Sequence, residues 1–167
     1  MKIKKIIILS FLALLSFSTF AQNKFGYIDS SELLSLMPEK KTAEGELQTF
    51  AKSLESQLGA MQAEYQASVQ DYQANEATYT DLVKQDKIAE ITNLEQRIQS
   101  FNQNAQNALQ KKEQELLEPI LSKARTAIED VAKEGKFTYI FDSSMGSILY
   151  ADENENVMAL VKKKLGL

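Results

Sequence analysis

The chain has 167 residues and contains neither Cys nor His. That excludes a disulfide framework, thiolate catalysis and Cys-ligated zinc, and it removes the commonest general base and metal ligand near neutral pH. With 19 basic against 23 acidic side chains, a net charge of −4, two Pro and six Gly, the composition favours long uninterrupted elements over a loop-rich enzyme.

Lys2, Lys4 and Lys5 precede an apolar run over residues 6–20, and Thr19, Phe20 and Ala21 set small residues where a signal peptidase reads. The run is about 15 residues, short of the roughly 20 that span a bilayer. Residues 1–21 therefore read as a cleaved export leader with Ala21 and Gln22 flanking the cut; the competing reading is a retained anchor. With no Cys to carry a lipid, the product would be a soluble exported chain. Loss of the three leader lysines takes the net charge from −4 to −7. Such a chain should not be drawn to nucleic acid or anionic membrane.

Residues 25–29 read as a short strand, and Ser30 or Ser31 as the cap of a short helix ending before Pro38. From residue 39 to 83 there is no Pro, and a heptad line runs through Leu47, Ala51, Leu54, Leu58, Met61, Tyr65, Ser68, Tyr72, Asn75, Tyr79 and Leu82. Among the large apolar residues between positions 47 and 82, only Phe50 and Val69 lie off the line. A helix of this length makes a rod of roughly 65 Å, too long for a compact domain. It must project as an arm. Thr78, Tyr79, Thr80 and Asp81 are weak helix formers, which places a reversal between residues 78 and 87. A return helix follows over residues 88–134, with Ile91 and Phe101 on its apolar face and Pro119 expected to kink it or to mark where it meets the body.

Gly135 is placed to cap that helix. Residues 137–142 and 148–152 read as two strands of a hairpin, and Asn154 or Asn156 as the cap of a last helix over residues 157–165, with Lys162, Lys163 and Lys164 in its final turn. The predicted fold is α+β and mainly α. A helical hairpin arm (residues 39–134) projects from a small body built from residues 22–38 and 135–167. A three-stranded sheet with two open edges is marginal for one chain, so the body is expected to complete itself by oligomerising. Phe25, Tyr27, Ile28, Phe137, Tyr139, Phe141, Ile148 and Tyr150 are the candidate residues of that shared body.

The strand at residues 24–29, Glu118-Pro119-Ile120 ahead of the 127–131 helix end, residues 135–142, and Ile148-Leu149-Tyr150-Ala151 before a helix ending Lys164-Leu165-Gly166 resemble the Skp/OmpH family of periplasmic chaperones. The resemblance covers essentially the whole mature chain. It implies a jellyfish-like homotrimer with a central β body and three tentacles. It also implies an ATP-independent holdase that keeps unfolded outer-membrane proteins in the space between the tentacles. Family members linked to lipopolysaccharide and acidic lipid surfaces are strongly basic, whereas this chain is acidic, so no lipopolysaccharide site is carried over. The 152–157 stretch also departs from the acidic-Ile-Thr block of many members.

Met61, Tyr65, Val69, Tyr72, Tyr79, Leu82, Ile91 and Phe101 have two readings: packing within the hairpin, with tyrosine hydroxyls reaching solvent at its rim, or an adaptable surface for apolar client segments. Gly45 and Gly59 either loosen the arm or are tolerated in an exposed helix. The Glu and Lys side chains read as a solvated face, because acid–base chemistry needs a pocket that a thin hairpin does not supply. Asp142 and Asp152 read as turn formers; no oxygen-rich calcium loop surrounds them. Neither cofactor nor metal is expected, and the chain reads as a non-enzyme. The competing function is a structural coiled-coil envelope protein, a continuous rod without clients. An amphipathic membrane-surface protein is disfavoured by the acidic balance.

Overall fold

The computed structural model describes residues 23–167; the expected leader and its Ala21–Gln22 cleavage pair lie outside the described residues. Strand β1 (Phe25–Ile28) leads into helix α1 (Ser30–Leu36), and helix α2 (Pro38–Asn75) then runs outward. A 3-10 turn (Glu76–Thr78) reverses the chain, and helix α3 (Asp81–Gly135) returns to strand β2 (Tyr139–Asp142). A second 3-10 turn (Glu153–Glu155) precedes helix α4 (Met158–Leu165).

Local chemistry sets these boundaries. Asp29, rather than Ser30 or Ser31, caps α1, its carboxylate accepting from the Glu32 N–H at 2.9 Å. Pro38 occupies the first turn of α2, where a missing N–H costs nothing. At the reversal, Tyr79 is extended (φ −79°, ψ 140°), and Thr80 caps α3 through a hydroxyl that accepts from the Val83 N–H at 3.4 Å. The turn lies at the early edge of the 78–87 window, so the continuous rod of a spacer is not formed. Pro119 sits inside α3 and does not end it. At roughly 1.5 Å per residue, α2 is about 57 Å long and α3 about 82 Å.

The helix end at residue 135 departs from expectation. Gly135 stays helical, and Lys136 takes the left-handed cap conformation at φ 55°. Packing explains the choice: a Cβ on Gly135 would meet the Phe137 ring at 2.4 Å. The glycine is required for the space it leaves to Phe137, and the strained φ falls on its neighbour.

Strands β1 and β2 pair in parallel, from Phe25 opposite Tyr139 to Ile28 opposite Asp142. The expected hairpin between residues 137–142 and 148–152 is not formed. Phe137 precedes β2, and Leu149 and Tyr150 lie 98% and 87% exposed in irregular backbone. The free side of β1 is taken instead by the last segment: Tyr27 bridges Asn156, and the Val157 N–H donates to the Tyr27 carbonyl at 3.0 Å. Residues 148–152 therefore have no strand position left beside β1. Beneath the sheet, Ile28, Leu33, Met37, Val157 and Val161 pack on Ile120, Ala124, Ala127 and Val131 of α3. Burying a Leu or Val side chain here contributes about 1.5–3 kcal/mol.

Candidate functional surfaces: the arm and the aromatic face

The heptad line becomes the inner seam of the hairpin. Each of its positions from Leu47 to Tyr79 is partly buried, while Leu82, beyond the reversal, is 68% exposed. Met61, Tyr65, Val69 and Tyr72 pack half-buried from α2, with Ile91 and Phe101 half-buried on α3. Leu94 is the one fully buried residue of the arm beyond its base among the described residues. The seam is otherwise thin, because a two-helix layer covers each side chain on one side only.

The hydroxyls of Tyr72 and Tyr79 do not simply face solvent at the rim. Tyr79 donates to the Asp71 carboxylate at 3.1 Å, Asn75 donates to it at 2.9 Å, and the Lys87 ammonium sits 3.0 Å away across the hairpin. Tyr72 donates to Glu76 at 3.3 Å, and its ring lies 6.5 Å from that of Tyr79. The hydrogen bonds from Lys87 and then Tyr79 hold the Asp71 carboxyl below its ordinary pKa; the same bond to Asp71 raises Lys87. Desolvation, followed by the bond to Asp71, pushes the Tyr79 phenol up. Sequence reading missed this hub around Asp71. An Asp–Lys pair sixteen positions apart means nothing until the turn between them is fixed.

At the other end, Phe25, Tyr139 and Phe141 line one face of the two-stranded sheet. Their ring centroids are 6.0–6.2 Å apart, and all three stay well exposed, Tyr139 at 59%. The remaining body candidates sort differently. Ile28 is buried in the chain's own core, and Tyr27 is half-buried. Phe137 is half-buried, with the Lys24 ammonium 4.0 Å from its ring centroid. Ile148 is half-buried and Tyr150 open. Behind the face, Asp142 ties β2 to α1: its carboxylate accepts from the Ser30 hydroxyl at 2.5 Å and the Ser144 N–H at 2.9 Å. Partial burial alone would raise its pKa, but these hydrogen bonds outweigh it and lower the value to about 2. Asp142 thus does more than form a turn. Among the described residues no group of three carboxylates is placed to hold a metal ion, and no helix is long and apolar enough to cross a membrane.

This arrangement, a projecting helical hairpin whose ends return to one small parallel sheet, matches known proteins along its length. A family model described as "Outer membrane protein (OmpH-like)" matches residues 24–165. The chain belongs to the OmpH-like family. Two curated relatives are similar to this OmpH-like chain over nearly their whole length, and both are named chaperone protein Skp. The one from Yersinia enterocolitica is 24% identical over 161 residues, covering 92% of this chain and 93% of its own. The one from Photorhabdus luminescens is 27% identical over 165 residues, covering 93% and 94%. The solved structure of an OmpH-like chain from Caulobacter crescentus CB15 superimposes with a TM-score of 0.76 at 16% identity, covering 87% of this chain and 85% of its own. At that identity the likeness establishes the fold alone, a mainly α fold with long helical arms.

Proposed function

We propose that the mature chain is a periplasmic, ATP-independent holdase that assembles as a homotrimer and keeps unfolded outer-membrane proteins from aggregating between its arms. One observation carries the reading. A single chain presents an open β2 edge and an exposed aromatic face at one end, and a bare arm at the other. A solvated monomer has no use for Phe25, Tyr139, Phe141, Leu149 and Tyr150 together on its surface. A second and third copy would cover them, and the unpaired 148–152 segment could then find strand partners in a neighbour. Three arms fixed around one body would enclose a space with many weak apolar contacts, whose multivalency retains a client without a tight site. The names of the Skp relatives support the chaperone reading.

Two measurements test it. Sedimentation of the mature protein should give the mass of three chains; a monomer would remove the enclosed space. Light scattering of a β-barrel membrane protein diluted from urea should fall at stoichiometric ratios of the purified protein. Undiminished aggregation with an intact trimer would leave assembly without the holdase role.

A further inference from the structure

The middle of the arm has a surface unlike the rest of the chain. From residue 98 to 110 α3 carries no charged side chain, and Gln99, Asn102, Gln103, Asn104, Gln106, Asn107 and Gln110 fill the positions that a solvated helix ordinarily gives to Glu and Lys. Asn is among the weaker helix formers, so the composition does not serve the helix. Nor does it serve the fold: among the described residues, the side-chain amide hydrogen bonds are those of Asn75, Asn154 and Asn156. The belt borders an open groove of about 660 Å³ between the two helices. Gln57, Gln96 and Asn104 form its polar sides, half-buried Met61 and Phe101 its apolar floor, and Arg97 contributes its one charge.

Resting on the holdase reading, we propose that this groove seats an extended segment of unfolded polypeptide. Its amides would hydrogen-bond the segment's backbone while Met61 and Phe101 take its apolar side chains. A side-chain amide has both a donor and an acceptor, which is what an unpaired peptide backbone lacks partners for. A charge would meet only one of the two and would select among sequences. The stripe Asn93, Gln96, Ser100, Asn104 and Asn107 follows one face of α3 at steps of three and four, over roughly 21 Å. That length accommodates about six residues of extended chain. Recognition of this kind reads conformation rather than sequence, as a holder of varied clients requires.

The test uses the full mature protein and fluorescently labelled octapeptides of alternating Thr and Tyr, one unmodified and one N-methylated at every second backbone nitrogen. The unmodified peptide should bind at least tenfold more tightly. The double variant Gln96→Leu, Asn104→Leu should bind it about tenfold more weakly and lose the discrimination. Equal binding of the two peptides by the unaltered protein overturns the proposal without any variant. So does a double variant of native helix content that still discriminates. A change of its mass in solution would instead make the groove a contact between copies, which also overturns it. Aggregation suppression by the unaltered protein, measured in parallel, reports separately on the holdase reading.

Discussion

The arm and the body solve the same problem of burial in opposite ways. The arm spreads its apolar side chains along a thin seam in which nearly every position is half-buried, and it satisfies its end with a polar hub around Asp71. The body concentrates a few fully buried side chains, Leu33, Met37, Val157 and Val161, and leaves an aromatic face bare. Changes in the arm should therefore be mild and local, because each contact is partial. Changes in the body should be severe, because the sheet, α1, α3 and α4 all meet there.

Four substitutions and one titration would break or sharpen that contrast. Leu33→Ala, at 0% exposure, should cost about 2–5 kcal/mol in chemical denaturation. The same truncation in the half-buried arm seam, Leu58→Ala, should cost about half as much or less, because fewer contacts are lost; equal losses at the two sites would erase the distinction. Gly135→Ala should destabilise by about 1–3 kcal/mol through the displaced Phe137 ring, despite the better helix former. Gly59→Ala, whose new methyl meets nothing within 4 Å, should raise stability by about 1 kcal/mol. The same substitution thus changes sign between body and arm, which differential calorimetry reads directly.

The smallest effect is a titration. In the folded chain the hydrogen bonds from Ser30 and Ser144 outweigh burial and hold the Asp142 carboxyl at about 2, below its ordinary 3.8. Its contribution is therefore fully present above about pH 4 and is lost as pH falls towards 2. Acid melting should be shallower in Asp142→Asn between those limits. The site is open to solvent, so the change in slope should be modest.

The arm was legible because a heptad needs only local spacing. Its direction, its seam and the thin helix-forming character of residues 78–81 all follow from neighbours in sequence. The body was legible only in part. Residues 137–142 and 148–152 carry strand-like composition, yet which segments flank β1 depends on a contest among distant segments, won on one side by residues 139–142 and on the other by Asn156 and Val157. Composition does not decide such a contest. The cap at Lys136 was hidden for a related reason: the demand on Gly135 comes from a ring two residues on, not from the helix. Among the candidate site residues, position within the heptad located the seam. It did not separate inward-facing Ile28 from outward-facing Phe25, because a four-residue strand alternates too briefly to orient itself.

The pairing of Phe25 with Tyr139 has a consequence for the order of folding. The partners of the only ladder among the described residues stand more than a hundred positions apart, and closing so long a loop in an unstructured chain is slow and entropically unfavourable. The hairpin between them removes that difficulty. If the helices zip from the Glu76–Thr78 turn downward, each step is a local contact that shortens the remaining gap, until the two strands arrive side by side. β1 would thus wait, unpaired and aromatic, until the whole arm had zipped. The gap left to close would then be set by the base of the arm and not by its length, so lengthening the arm by whole heptads should leave the folding rate nearly unchanged.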